Sequence, residues 1–251
     1  MYEEAASADY ALISRERTQQ LEVLMHLLGN SNQPVVLCGP KGIGKTYLIN
    51  TLIERKKHAW RHCLLSASSN LRFDGLLQKM AQVLGIDNSQ PHDFKQGIGQ
   101  IHKLVVFIDD AGWLVPGLLA SMMAFALENP MLRLVFVLTP DELFIKTRTD
   151  PSIDDCHVID MPPLTEKECG DFLRYLAAKS WPKLAVSVVT DPLIADLYRE
   201  SQGIPGRIVE RLPHYPTANS HDYAPWLLIL AVAALVAIAL CVQWLSGSGY
   251  L

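Results

Sequence analysis

The chain has 251 residues, with 22 lysines and arginines against 26 acids and a formal charge of −4. That balance offers no general cationic excess for holding a phosphate backbone, so wholesale nucleic-acid binding is not expected. The five cysteines (Cys38, Cys63, Cys156, Cys169 and Cys241) are odd in number and none stands at metal-ligand spacing from another, which reads as buried or membrane thiols in a reducing compartment.

Residues Met1 to Tyr10 are acidic and lack an apolar run, so they do not form a secretory signal. From Arg15 to Leu28, leucines at 21, 24, 27 and 28 share one face of a predicted helix. Pro34 to Cys38 is a short apolar strand, Gly39 to Thr46 a glycine-rich turn, and Tyr47 to Lys57 the helix that follows. A second strand is expected at His62 to Ser66 and a helix at Phe73 to Leu84, closed by Gly85. Asp87 to Gly99 reads as a polar loop.

Leu104 to Ile108 is an unbroken apolar strand ending in Asp109-Asp110, and Pro116 to Glu128 has a helical pattern. Arg133 to Leu138 is another buried strand, ending at Thr139-Pro140, and Val158 to Met161 a last short one. Strands alternating with helices predict an α/β fold with a parallel sheet covered on both faces. After Pro162-Pro163 only helices are expected. Thr165 and Glu168 form a capping-box pattern for one running to about Lys179, Asp191-Pro192 opens a second that Gly203 closes, and Gly206 to Leu212 begins a third.

Gly39-Pro40-Lys41-Gly42-Ile43-Gly44-Lys45-Thr46 has the form G-x-x-x-x-G-K-[ST], with an apolar strand before it and a helix after it. Bare amides at the glycines can converge on phosphate oxygens, Lys45 adds a full positive charge, and the Thr46 hydroxyl suits Mg²⁺. The expected nucleotide site therefore comprises these eight residues together with Tyr47, and its cofactors are ATP and Mg²⁺. Asp109 at a strand end is the expected magnesium residue. Asp110 is either the carboxylate that polarises attacking water or a cap for the next helix. Thr139 reads either as a polar sensor beside the γ-phosphate or as a turn residue, and Arg207 either as a second sensor at the start of a lid helix or as a surface arginine. Arg133 and Arg148 are candidates for an arginine finger. His58 and His62 have the i,i+4 spacing of a helical metal pair but no third ligand, and read as a solvated face.

Trp226 to Leu245 is an uncharged run of about 20 residues with a tryptophan at each end, long enough for a membrane-spanning helix. Arg207 and Arg211 precede it and no cation follows it, which predicts a single pass at a bacterial inner membrane with the large N-terminal part cytoplasmic and the C-terminus periplasmic. The expected organisation is a P-loop core over 1–162, a small all-α lid over 163–213, a linker over 214–225, the membrane helix over 226–245 and a short tail over 246–251.

The succession VVLCGPKGIGKT, LVVFIDDAGWL, RLVFVLTP, IDMPPLTEKE and GIPGRI, then one apolar segment, resembles the membrane-anchored AAA+ ATPases of the general secretion pathway A type and the ATPase domain of DamX-type proteins, over about Ile13 to Leu245. The resemblance implies Gly39, Gly44, Lys45 and Thr46 as nucleotide ligands, Asp109 as the magnesium residue and Arg207 as a sensor. Where that family reads DEAH, this chain reads Asp109-Asp110-Ala111-Gly112, which implies slow hydrolysis. The implied function is a homo-oligomeric, membrane-anchored ATPase that assembles or remodels a cell-envelope complex, with a periplasmic or inner-membrane protein partner and no nucleic acid. Two alternatives are a nucleotide-gated scaffold that does not hydrolyse and a DNA-linked AAA+ helper ATPase.

Overall fold

Four consecutive buried residues, Val35–Cys38, form β1. Apolar side chains on both of its faces suit a strand covered from either side. The computed structural model describes residues 14–85, 103–179 and 188–214, and there β1 lies between β4 (Leu132–Leu138) and β5 (His157–Asp160). With β2 (Arg61–Ser66) and β3 (Leu104–Asp109) they make a five-stranded sheet of order β2-β3-β4-β1-β5, parallel at every pairing. Val36 stands opposite Phe136 on one side and Val158 on the other.

Alternation along the strands divides the core in two. Val35, Leu37, Val105, Phe107, Val135 and Val137 meet Leu21 and Leu24 of α1 (Arg15–Asn30) and Leu48 and Leu52 of α2 (Lys45–Lys56). Val36, Val106, Ile108, Leu134 and Phe136 meet Leu76 and Met80 of α3 (Phe73–Leu84) and Leu119 and Met122 of α4 (Leu118–Glu128). Phe107 and Phe136, both fully buried, anchor the two layers, and truncating either to alanine costs about 3–5 kcal/mol.

α5 (Pro140–Thr149) follows β4 directly. Thr139, which the sequence leaves open between a sensor and a turn residue, caps this helix: Thr139 and Glu142 close a capping box around its start. Beyond β5, α6 (Glu166–Ala178), α7 (Asp191–Ser201) and α8 (Pro205–Arg211) bury Leu173, Leu193, Leu197 and Ile208 in a separate apolar cluster. The Thr165–Glu168 capping box forms as expected.

The expectation of a membrane helix needs correction. Among the described residues no helix is long and apolar enough to cross a membrane, and the segment 226–245 lies outside those residues. An uncharged run of sufficient length is necessary for a span but does not by itself make one. The single-pass inner-membrane topology, the cytoplasmic and periplasmic assignments and the inner-membrane partner lose their support with it. The loop expected over 87–99, all but the first residue of the linker expected over 214–225, and the tail over 246–251 also fall outside the described residues.

Candidate nucleotide site

The loop between β1 and α2 turns on two glycines. Gly42 has φ +81° and Gly44, the residue before α2, has φ +104°, a region that side-chain-bearing residues rarely adopt. This turn places Lys45 in the first position of α2. Its ammonium donates to the carbonyls of Gly39 at 2.6 Å and Pro40 at 3.2 Å. Burial pulls the Lys45 pKa below its ordinary value, while the carboxylates of Asp109 and then Glu142 oppose the shift.

The next residue, Thr46, donates its hydroxyl toward Asp109 Oδ2 at 3.4 Å, across from the end of β3. Asp109 also accepts the backbone N–H of Asp110 at 3.0 Å on its other oxygen. Asp110 is exposed, with φ +53°, and its side chain makes no capping bond to the short turn Ala111–Trp113. The capping role weighed from sequence is therefore not the one it fills. The fold thus gathers Lys45, Thr46, Asp109 and Asp110 at the carboxyl ends of β1 and β3, where parallel α/β sheets place their ligands.

Thr139 and Arg207 are otherwise engaged. The Thr139 hydroxyl accepts the Glu142 N–H at 3.3 Å, and its own N–H donates to Glu142 Oε2 at 2.7 Å. Arg207 is exposed and donates to Gln202 Oε1 at 3.4 Å. Of the finger candidates, Arg133 is buried and donates to the carbonyls of Leu28 and Leu132, at the amino ends of the strands, so it is no finger. Arg148 is exposed and lies over the Phe144 ring at 4.2 Å. His62 belongs to β2 rather than to a helix with His58, so that pair shares no face.

Two residues of the site were missed. Glu142 reaches over the turn that follows β3, where a β-carbon on Gly112 would stand 2.7 Å from its Cγ. The same T-x-x-E pattern that marked α6 would have found it. Arg17 is 9% exposed and donates to the Ile43 carbonyl at 2.7 Å and to that of Pro162 at 3.5 Å. Its burial lowers its pKa, against the opposing pull of Glu168 and Glu16. Its signal was an arginine one helical turn before Leu21, on the apolar stripe of α1.

The helices after β5 close over the loop. Gly206 donates its N–H to the Gly42 carbonyl, and between Ile43, Tyr47, Leu164, Phe172, Tyr175 and Pro205 lies an apolar cavity of about 310 Å³.

The family model for the P-loop containing dynein motor region matches residues 1–113. No curated protein matches the chain. Among solved structures, Cdc6p from Pyrobaculum aerophilum is similar with a TM-score of 0.55 and 21% identity, over 78% of this chain and 63% of that one. The ORC2 protein of Aeropyrum pernix, in ADPNP–ADP complexes, gives 0.55 and 16% over 77% and 58%. RuvB of Thermotoga maritima, a Holliday junction branch migration motor, gives 0.50 and 16% over 79% and 58%. The chain thus spans about three-fifths of each of these structures, and at such identities the likeness is one of fold. That likeness is to Cdc6p, ORC2 and RuvB, and the resemblance to the general secretion pathway A and DamX-type families is not upheld: loop and strand motifs are shared widely across this fold and do not separate its branches.

Proposed function

We propose that this chain, a P-loop ATPase of the AAA+ type that binds ATP, uses the nucleotide to act on DNA. The observation that carries the nucleotide half is the meeting of Lys45, Thr46 and Asp109 at one end of the sheet. In this reading the amides of Gly39 to Gly44 and the amino end of α2 bind the phosphates, and Lys45 neutralises their charge. Tyr47 and the apolar cavity beneath α6 and α8 hold the base, so 1–162 acts as the core and 163–213 as a lid over it.

Mg²⁺ fits this set of donors. A hydroxyl and a carboxylate are hard oxygen ligands, and the 3.4 Å contact brings Thr46 and Asp109 to one place. These two would hold the ion, whose charge would offset that building on the phosphates. Asp110, exposed beside them, orients and polarises the attacking water with a side chain one methylene shorter than glutamate. Thr139 reaches the site through Glu142, and Arg207 would have to leave Gln202 to serve as a sensor.

The DNA half replaces the expectation of a cell-envelope role without nucleic acid. It rests on the likeness to Cdc6p, ORC2 and above all RuvB, a branch migration motor. Net charge does not oppose it, because an overall balance of −4 conceals how cations are placed on the surface. Assembly into a homo-oligomer belongs to the same reading.

Phosphate release by the purified chain, with and without duplex DNA, tests the proposal. Turnover that DNA stimulates and that Lys45→Ala abolishes is expected. Turnover untouched by Lys45→Ala would remove the nucleotide site, and indifference to DNA in both binding and turnover would remove the DNA half.

A further inference from the structure

The end of the sheet opposite the nucleotide site carries a cationic surface. Four of the chain's 22 lysines and arginines fall within seven residues, Arg55, Lys56, Lys57 and Arg61, where α2 ends and β2 begins. Arg55, Lys57 and Arg61 are exposed. Among the described residues the one ion pair in this group joins Lys57 to the exposed Glu54.

Further cations converge on the same place. Lys103 immediately precedes β3, and its carbonyl accepts the Arg61 N–H at 2.9 Å. The ammonium groups of Lys56 and Lys103 lie over the Trp60 ring, at 5.3 and 5.0 Å from its centroid. Lys103 also donates to the carbonyls of Leu28 and Gly29 at 2.7 Å, and Arg133 to that of Leu28 at 3.1 Å. These last two cations therefore have a structural duty at the carboxyl end of α1. Burial lowers the Lys103 pKa, and the like charges of Arg133 and Lys56 push the same way, so the group is crowded with positive charge.

We propose that this surface, centred on Arg55, Lys57 and Arg61 with Lys56 braced on Trp60, binds the phosphate backbone of duplex DNA. The proposal rests on the DNA reading given above and names its contact face. Between Glu54 and His62 the only apolar side chains are Ala59 and the Trp60 ring beneath its two ammonium groups, so nothing here would enter a lipid layer or seat an apolar protein face. Exposed cations without apolar anchors suit a partner recognised by repeated negative charge. The face lies one sheet length away from Lys45, so both ligands fit at once.

The test is fluorescence anisotropy of a labelled duplex with the full chain and ATP, across about 50 to 200 mM salt. The triple variant Arg55→Ala, Lys57→Ala, Arg61→Ala should bind more weakly, with a log–log salt slope reduced by about 3, one for each lost phosphate contact. Its phosphate release without DNA should equal that of the parent, which also shows that it is folded. Equal affinity and slope in parent and variant would overturn this face while leaving the DNA reading intact. No binding by the parent would overturn that reading as well. Charge-dependent binding to phosphatidylglycerol vesicles, with none to duplex, would assign the face to a membrane surface and overturn the proposal.

Discussion

Gly206 and Gly42 meet backbone to backbone: the N–H of Gly206 donates to the Gly42 carbonyl at 2.9 Å, and a β-carbon on Gly206 would stand 2.8 Å from the Gly42 Cα. Helix α8 thus rests directly on the glycine-rich loop, with no side chain between Gly206 and Gly42. Gly206→Ala must push the two apart. Overpacking of this kind costs about 1–3 kcal/mol. The expected result is a lower midpoint in denaturant and weaker binding of a fluorescent ATP analogue. Unchanged ATP affinity would mean that the contact does not govern nucleotide binding.

The pair at the end of β3 should separate by substitution. Asp110→Asn removes the carboxylate proposed to polarise water and should cut turnover about a hundredfold while leaving ATP affinity in place. Asp110→Glu restores the missing methylene and should raise turnover above that of the parent. Phosphate-release kinetics beside an ATP titration distinguish the two effects. A faster Asp110→Asn variant would remove Asp110 from the chemistry.

Much of the fold was legible because its signals are local. Apolar runs such as Leu104 to Ile108 and the stretch Arg133 to Leu138 announce buried strands, and Gly85, Thr165 and Glu168 mark helix ends at the positions observed. The loop from Gly39 to Thr46 was legible for the same reason: its chemistry is packed into eight consecutive residues. Contacts that cross the chain were not. Arg17 reaches Ile43 across 26 residues and Pro162 across 145, and no neighbouring residue hints at either. Glu142 was passed over because Thr139-Pro140 looked like a turn, although proline at the first position of a helix is as natural a reading. Charge summed over the whole chain hid the cluster from Arg55 to Arg61.

Thiol chemistry should be slow in the folded protein. Burial raises the pKa of Cys38, Cys63 and Cys169 to about 11 and that of Cys156 to about 12, so little thiolate exists at pH 8. All four are free and buried. Mass spectrometry after brief alkylation at pH 8 should find these four unmodified in native protein and modified in denaturant. Rapid native labelling of Cys156 would show that the packing around it opens readily.

Acid should loosen the joint between α1 and α6. Burial alone would raise the Glu168 pKa, but bonds from the Thr165 N–H and hydroxyl and from Ser14, with the charge of Arg17, outweigh it and hold the carboxyl below its ordinary value. A depressed folded-state pKa stabilises above the unfolded value, about 4.3, and that contribution is lost as pH falls through the lower folded value. Glu168→Gln should therefore unfold more easily than the parent at pH 7, with the difference vanishing on acidification below about pH 4. Thermal melts across that range check it, and a constant gap down to pH 2 would contradict the assignment.

Helix α2 begins with the lysine of the phosphate loop and ends with the lysine that leans on Trp60. Its twelve residues contain neither glycine nor proline, and at 1.5 Å each they make a rod about 18 Å long with no built-in joint. A displacement imposed at its amino end would be carried to the far tip as a tilt of the whole helix rather than be absorbed at a kink along the way. One uninterrupted piece of secondary structure thus spans from the loop Gly39–Thr46 to the cationic cluster Arg55–Arg61.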